Sequence, residues 1–308
     1  MKMALSSGEV QALALRQELP VQALLVGQLS KNTRRAYRAA LTDFFESMGA
    51  IDIQEVTRDH IIGYRNYLME RYAPATVALR LSVLSQLFEE ARLRGMVEEN
   101  PVKAVKRPKV PSESMTQGLT AKEAAALLAT CDCATVKGAR DYAILRLMLY
   151  TGLRRSEVVN AKWGDLRQER GHWVLHVVGK GGRLRKAKLQ VSVKRALDEY
   201  LQMGGRALTA NSPLFVATQH NRGEVPLSPR TVAQMVKRRA RQAGITKRIT
   251  PHSLRHTAVT LALDGGATVR QAQYLAGHAD PKTTMRYDRN RENLDDHASD
   301  YIRISEVA

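Results

Sequence analysis

The feature that most constrains the fold is a segment rich in Pro, Lys and Ser, which separates two regular halves of the chain. It runs from Lys103 to Ser114 and has the composition of an extended linker. With 308 residues, the chain is long enough for two ordinary domains. We therefore predict an N-terminal extension (1–29), a first domain (30–105), a linker (106–118) and a second domain (119–308).

The first domain has the apolar spacing of helices. Leu41, Phe44 and Met48 recur at helical intervals, as do Val77, Leu81 and others up to Phe88. Ser30 and Pro74 stand where helices would begin. No segment here has the alternation of a strand, so we predict an all-helical domain.

The second domain combines helices with one hairpin. Residues 173–178 alternate like a strand, the Gly-rich turn 179–182 follows, and residues 183–189 form a return strand with alternating basic side chains. Thr120 and Glu123 form a capping box, and helical patterns occupy 140–150, 193–201, 231–243, 254–263, 270–275 and 283–286. We predict a mainly α fold with a small antiparallel β-sheet.

The charge of the chain indicates an acidic partner. The formal net charge is +18, and residues 119–308 contain 32 Lys and Arg against 17 Asp and Glu. Such an excess favours nucleic acid, although membrane-surface and ribosomal proteins share it. No apolar run approaches the roughly 18 residues of a membrane span, and charged residues interrupt the N-terminus. These observations predict a cytoplasmic protein.

Three short segments of the second domain concentrate groups that suit phosphate chemistry. They are TGLRRSE (151–157), HSLRH (252–256) and LAGH (275–278), the last followed nine residues later by Tyr287. Arg154 and Arg255 each present a planar fork of donors that can hold the oxygens of a phosphodiester. Preset cations of this kind lower the barrier to phosphoryl transfer.

The same segments contain groups that could move protons. A tyrosine hydroxyl has a pKa of about 10, so Tyr287 needs a neighbouring base or a positive field to act as a nucleophile. His252, three residues before Arg255 on one helix face, could help. Lys180 in the hairpin turn is a candidate general acid for the leaving oxygen.

Each residue also has a purely structural interpretation. Arg154 could pair with Glu157 on a helix surface, Lys180 could be solvated, and Tyr287 could be a core aromatic. His252 and His256 have a spacing that zinc sites use, but no third ligand is apparent, so no metal is predicted. Cys131 and Cys133 are too close for an ordinary disulfide and lack partners for zinc.

Two clusters of basic residues are candidate DNA contacts. A helix fits the major groove, and neutralising phosphates requires clustered cations. The stronger cluster lies in the predicted helix 231–243 and the weaker one in the first helix; the residues are Lys237, Arg238, Arg239, Arg241, Arg34, Arg35 and Arg38.

In these motifs the chain resembles the tyrosine recombinases of the phage integrase family. The resemblance rests on the TGLRxSE box, the GKG turn at 179–181, HxLRHT at 252–257, LxGH and the TTxxY motif that ends at Tyr287. The Ser30-x-x-Thr33-x-x-x-Tyr37 helix resembles the core-binding, SAM-like domain of the family. The resemblance therefore covers most of residues 30–290. Arg155 departs from it, because the family more often has an apolar residue there.

The resemblance implies a two-domain, C-shaped clamp around duplex DNA, with a core-binding domain (30–105) and a catalytic domain (119–308). It implies a site-specific recombinase that forms a 3′-phosphotyrosyl bond, needs no metal or ATP, and passes through a Holliday junction as a homotetramer on two core sites. Accessory proteins that set direction can assist such enzymes. The matching catalytic positions are Arg154, Lys180, His252, Arg255, His278 and Tyr287, with Glu157 as an accessory acid.

The resemblance also favours a simple recombinase. About thirty residues precede Ser30, too few for a separate arm-site domain, and the tail after Tyr287, with Leu294, Tyr301 and Ile302, is expected to pack on a neighbouring protomer. Two other functions fit the sequence less well. One is DNA relaxation or hairpin-end formation by the same chemistry, and the other is a catalytically silent DNA-binding protein.

Overall fold

The computed structural model describes residues 20–27, 30–49, 51–110, 117–179, 182–218, 225–278, 280–285 and 287. The chain divides between residues 111 and 112 into two compact units. The described residues form helices and one small antiparallel sheet, which confirms the predicted fold class. No helix among them is long and apolar enough to cross a membrane.

The first unit is helical, as predicted. Ser30 caps the helix that follows it by accepting a hydrogen bond from the backbone of Thr33, and Pro74 occupies the first turn of another helix. Its core is built on Phe44, whose ring meets Tyr64 and Phe88 edge-on. The helices are α1 (residues 20–26), α2 (Lys31–Met48), α3 (Arg58–Arg71) and α4 (Pro74–Leu93), with a 3-10 turn at Ile53–Glu55.

The second unit packs its helices around α6. This helix is buried along most of its length and contacts both α8 and α10. The predicted capping box of Thr120 and Glu123 starts α5. The helices are α5 (Ala121–Ala129), α6 (Val136–Thr151), α7 (Arg155–Asn160), α8 (Val191–Gly204), α9 (Pro229–Gln242), α10 (Pro251–Asp264), α11 (Val269–Ala276) and α12 (Pro281–Met285).

The predicted hairpin is the larger part of a three-stranded sheet. Its strands are β2 (His172–Val178) and β3 (Leu184–Lys188), and Val177 pairs with Arg185. The preceding strand β1 (Leu166–Glu169) was not predicted, because among its four residues only Leu166 is apolar. It pairs with β2 through a tight turn in which Arg170 and Gly171 both have positive φ, the geometry that suits a two-residue hairpin.

A buried carboxylate joins α6 to α9. Asp141 is fully buried and accepts hydrogen bonds from the guanidinium groups of Arg140, Arg238 and Arg239, at distances of 2.8–3.2 Å. Arg239 is itself only 8% exposed and also donates to the carbonyl of Thr130. The prediction that Arg239 contacts DNA is therefore wrong, because its donors are used inside the protein.

We expect Asp141→Ala to lower the free energy of unfolding by about 3–5 kcal/mol, because it leaves buried arginines without a counter-charge. Urea denaturation followed by circular dichroism measures this. The control is Asp198→Ala on α8, which removes an exposed pair with Lys194 and should cost under about 1 kcal/mol. Similar losses in the two variants would show that the buried network contributes no more than a surface ion pair.

Candidate active site

Arg154 and Glu157 form the base of the site at the start of α7. Gly152, in the left-handed conformation, ends α6 and turns the chain. Glu157 accepts from Arg154 Nη1 on Oε1 and from the Arg154 backbone on Oε2, both at 2.8 Å. Arg154 Nη2 donates to the carbonyl of Gly277 at 3.3 Å. The Glu157 side chain is only 2% exposed, so this is not the surface pair of the structural interpretation.

Arg255 enters the same site from the first turns of α10. It is 2% exposed, and its Nη1 donates to the carbonyl of Gly152 at 2.7 Å. Its buried Nη2 has no hydrogen-bond partner among the described residues. Burial, followed by repulsion from Arg154 and Arg185, lowers the pKa of Arg255 to about 10. Among the described residues, Arg255 therefore forms no ion pair and keeps a spare donor.

Two imidazoles lie beside these arginines. His252 is exposed at the start of α10, yet enough protein surrounds it that desolvation, followed by Arg255 and Arg154, lowers its pKa. His278 follows α11, and its Nδ1 lies 2.8 Å from Oγ1 of Thr284. Burial, then Arg255 and Arg154, lowers the pKa of His278 to about 4. These surroundings favour the neutral form of both imidazoles.

Tyr287 packs against the histidines. Its ring stacks on His278 with centroids 5.9 Å apart and meets His256 edge-on at 4.7 Å. It is 6% exposed, in a small cluster with Val259, Ala272 and Ala276. Tyr287 thus lies both in the site and in a patch of core. The sequence left open whether it is a site residue or a core aromatic, and its position is compatible with both. His256 is itself buried, at 6% exposure.

The hairpin closes one side of the site. Gly179, at the end of β2, lies so close to Glu157 that a Cβ added there would be 3.7 Å from Oε1. Lys180, the predicted general acid, lies outside the described residues. Its role stays a prediction.

Arg185 belongs to the site but was missed by the sequence reasoning, which treated 183–189 only as a strand with basic residues. Its Nη2 donates to Glu157 at 3.1 Å and its Nη1 to the carbonyl of Leu275 at 2.6 Å. It shares a strand face with the buried residues Ala187 and Leu189. The sequence signal that could have identified Arg185 is its alternation with two apolar residues, which predicts that its side chain faces the protein interior.

A cavity of about 700 Å³ borders part of the site and is lined by Arg154, Arg185 and His278, among other residues. Within the described part of the chain, no group of three or more His, Cys, Asp or Glu could hold a metal ion. The zinc alternative for His252 and His256 therefore finds no support there. The chemistry that the arrangement offers is the binding of an anion by arginine forks next to a tyrosine.

The candidate DNA contacts, apart from Arg239, lie on exposed helix faces. Those on α2 are Arg34, Arg35 and Arg38, and those on α9 are Lys237, Arg238 and Arg241. Arg238 also donates to Asp141 while 44% of its side chain remains exposed. Exposure is compatible with phosphate contact, and the DNA role of these six residues stays a prediction.

Comparison with known proteins places these residues in a family. Residues 117–293 match the phage integrase family, and residues 22–95 match its N-terminal SAM-like domain. The chain is 34% identical to a tyrosine recombinase of Synechococcus elongatus, over 97% of this chain and 98% of that protein. It is 32% identical to the tyrosine recombinase XerC of Myxococcus xanthus, over 84% and 87%.

Solved structures share the fold. A lambda integrase dimer bound to a core site matches with a TM-score of 0.72 and 21% identity, over 92% of this chain and 96% of that one. A lambda integrase tetramer bound to a Holliday junction matches with a TM-score of 0.73 and 21% identity, over 92% and 78%. The family matches and the sequence relatives together show that the chain belongs to the phage integrase family and is a tyrosine recombinase.

Proposed function

We propose that this protein is a site-specific DNA recombinase that cleaves and rejoins DNA through a phosphotyrosine at Tyr287, without a metal ion or ATP. The observation that carries the proposal is the meeting of Arg154 and Arg255, from distant parts of the chain, beside His278 and Tyr287. Two guanidinium groups next to a tyrosine suit a phosphodiester under nucleophilic attack.

The arginines would hold the non-bridging oxygens of the scissile phosphate. Arg255 Nη2 is a buried donor without a partner among the described residues, and such a donor is costly unless a ligand satisfies it. Arg154 is already anchored by Glu157 and Gly277. As negative charge builds on the oxygens, these fixed cations stabilise the transition state without reorganisation.

The proton steps follow from the neutral histidines. Tyr287 gives up its hydroxyl proton to His252 or His278 as its oxygen bonds to phosphorus. The bond from phosphorus to the 5′ oxygen breaks, and we assign the proton for that oxygen to Lys180. The products are a 3′-phosphotyrosyl bond and a free 5′-hydroxyl. Attack by a 5′-hydroxyl of the partner strand reverses the step and restores the DNA backbone.

The proposal extends to domains and partners. Residues 30–105 would bind core DNA and residues 119–308 would carry catalysis, with 106–118 as linker. The exposed arginines and lysine of α2 and α9 would contact the backbone. A homotetramer on two duplex sites would pass through a Holliday junction in the cytoplasm, with accessory proteins setting direction. The tail residues Leu294, Tyr301 and Ile302, which lie outside the described residues, would pack on a neighbouring protomer.

A covalent adduct tests the proposal directly. A duplex selected from a randomised library by retention on the protein, and nicked near the cleavage point, is incubated with wild type in EDTA. We expect a DNA–protein adduct that survives denaturant, because loss of the short nicked strand traps the phosphotyrosine. If the selected duplex binds but no adduct forms, the chain is a DNA-binding protein without this activity.

The pKa of His278 also predicts how stability varies with pH. Its folded pKa of about 4 lies below the ordinary value of 6.5, so protonation favours the unfolded chain. Its contribution to stability is present above pH 6.5 and is lost as the pH falls towards 4. Between pH 7.5 and 5, the free energy of unfolding should fall more in wild type than in His278→Gln. Parallel curves for the two proteins would contradict the shifted pKa.

A further inference from the structure

The side chain of Arg185, on β3, forms hydrogen bonds with two separate segments of the site. Its side chain is 13% exposed. One end of its guanidinium reaches Glu157 on α7, and the other reaches the carbonyl of Leu275 at the end of α11. A single planar group on β3 therefore connects the helix that follows Arg154 to the turn that leads to His278.

Glu157 is shared between two arginines in a fixed way. Oε1 accepts Arg154 Nη1, while Oε2 accepts the Arg154 backbone and Arg185 Nη2. Two donors on Oε2 restrict how the carboxylate can rotate and therefore where Oε1 lies. Arg185 thus constrains the carboxylate that anchors one side of the Arg154 fork.

Gly277 has no side chain, and the Arg185 side chain packs where its Cβ would stand. It has a φ of +61°, and a Cβ added to it would lie 2.8 Å from Arg185 Cδ and 3.0 Å from Nη1. The carbonyl of the same glycine accepts a hydrogen bond from Arg154 Nη2. The glycine that precedes His278 therefore fits under the Arg185 side chain and also helps to anchor Arg154.

We propose that Arg185 is a positioning residue for the scissile phosphate, acting through Glu157 and the Leu275–His278 turn to aim Arg154 and to place His278. The inference rests on the proposed cleavage reaction. Arg185 contributes geometry through Nη1 and Nη2, which both donate to protein acceptors, while its buried Nε has no hydrogen-bond partner among the described residues. It also contributes positive charge next to Arg154 and Arg255, with Glu157 as the nearby counter-ion.

The test uses the conservative variant Arg185→Lys in single-turnover cleavage of the nicked duplex. The variant keeps the charge, but an ammonium lacks the planar fork that spans two acceptors. We expect cleavage to slow by about 10- to 100-fold, with DNA affinity by gel shift within about 3-fold of wild type. The matched control is Lys186→Ala on the opposite face of β3, where Lys186 pairs with Glu169, and it should cleave at the wild-type rate.

A second substrate separates positioning from general damage. Replacing the scissile phosphate by a neutral methylphosphonate removes the charge that the arginines hold. If Arg185 aims Arg154, the ratio of the wild-type rate to the Arg185→Lys rate should be severalfold smaller on the methylphosphonate than on the normal substrate. Partial unfolding would give the same ratio on both substrates, because it only reduces the fraction of active protein. Equal slowing on both substrates, or none on the normal one, overturns the inference. No adduct from wild type itself would instead overturn the proposed function, and the inference with it.

Discussion

Tyr287→Phe is expected to abolish the covalent DNA adduct, lowering its rate of formation by at least about 10⁴-fold, as removal of a nucleophile does in other covalent enzymes. The variant removes only the oxygen that would bond to phosphorus. The phenyl ring can keep the stacking on His278 and the edge contact with His256. Melting temperature and DNA affinity should therefore stay close to those of wild type. Denaturing electrophoresis with labelled DNA measures the adduct.

Tyr274→Phe is the matched control. Tyr274 is 71% exposed on α11, so it tests whether another tyrosine in the same unit reacts. We expect the control to form the adduct at the wild-type rate, and peptide mapping of the adduct should locate the DNA on Tyr287. An adduct from Tyr287→Phe, or its loss in Tyr274→Phe, would reassign the nucleophile.

Arg255→Met should slow cleavage by about 10³- to 10⁵-fold, the range known for an arginine that stabilises a transferring phosphoryl group. The substitution removes both the charge and the spare Nη2 donor from the centre of the site. It also removes the Nη1 hydrogen bond to the carbonyl of Gly152, a loss of stability that relief of a buried charge offsets. Burial, together with the neighbouring Arg154 and Arg185, disfavours this charge in the folded protein and lowers the pKa of Arg255 to about 10. We therefore expect the melting temperature to be unchanged or raised.

Single-turnover cleavage and thermal melting, measured on the same preparation, check this prediction. Arg195→Ala on α8 removes an exposed positive charge and serves as the control, with cleavage expected within about 3-fold of wild type. If Arg255→Met slowed cleavage only in proportion to a lowered melting temperature, Arg255 would be a structural residue and not a phosphate ligand.

The helices and the hairpin could be predicted because their signals are local. Apolar spacing, the caps at Ser30 and Thr120, and the Gly-rich turn at 179–182 each act within a few residues. Strand β1 could not be predicted in this way, since its one apolar residue gives no alternation. It exists because β2 offers it a partner, which is a property of the folded sheet.

For the site residues too, local sequence signals identified some features, while others depend on the folded structure. The order of the motifs pointed to Arg154, His278 and Tyr287, but the burial of Tyr287 depends on its packing against α10 and α11. Arg239 was misassigned because it was treated as one of a basic run. It also continues the apolar stripe of Val232, Met235 and Val236 at helical spacing, and that position directs it inward to Asp141.

The packing of Tyr287 bears on the risk that a DNA-cutting protein poses to its host. A hydroxyl that attacks phosphodiesters would be harmful if it reacted with every duplex that a basic protein touches. Only 6% of Tyr287 is exposed, so under the proposed mechanism casual contact with DNA would meet a sheltered nucleophile. Some binding energy from the correct site would then be spent on freeing the tyrosine. Selectivity would thus be enforced at the moment of cutting as well as at the moment of binding.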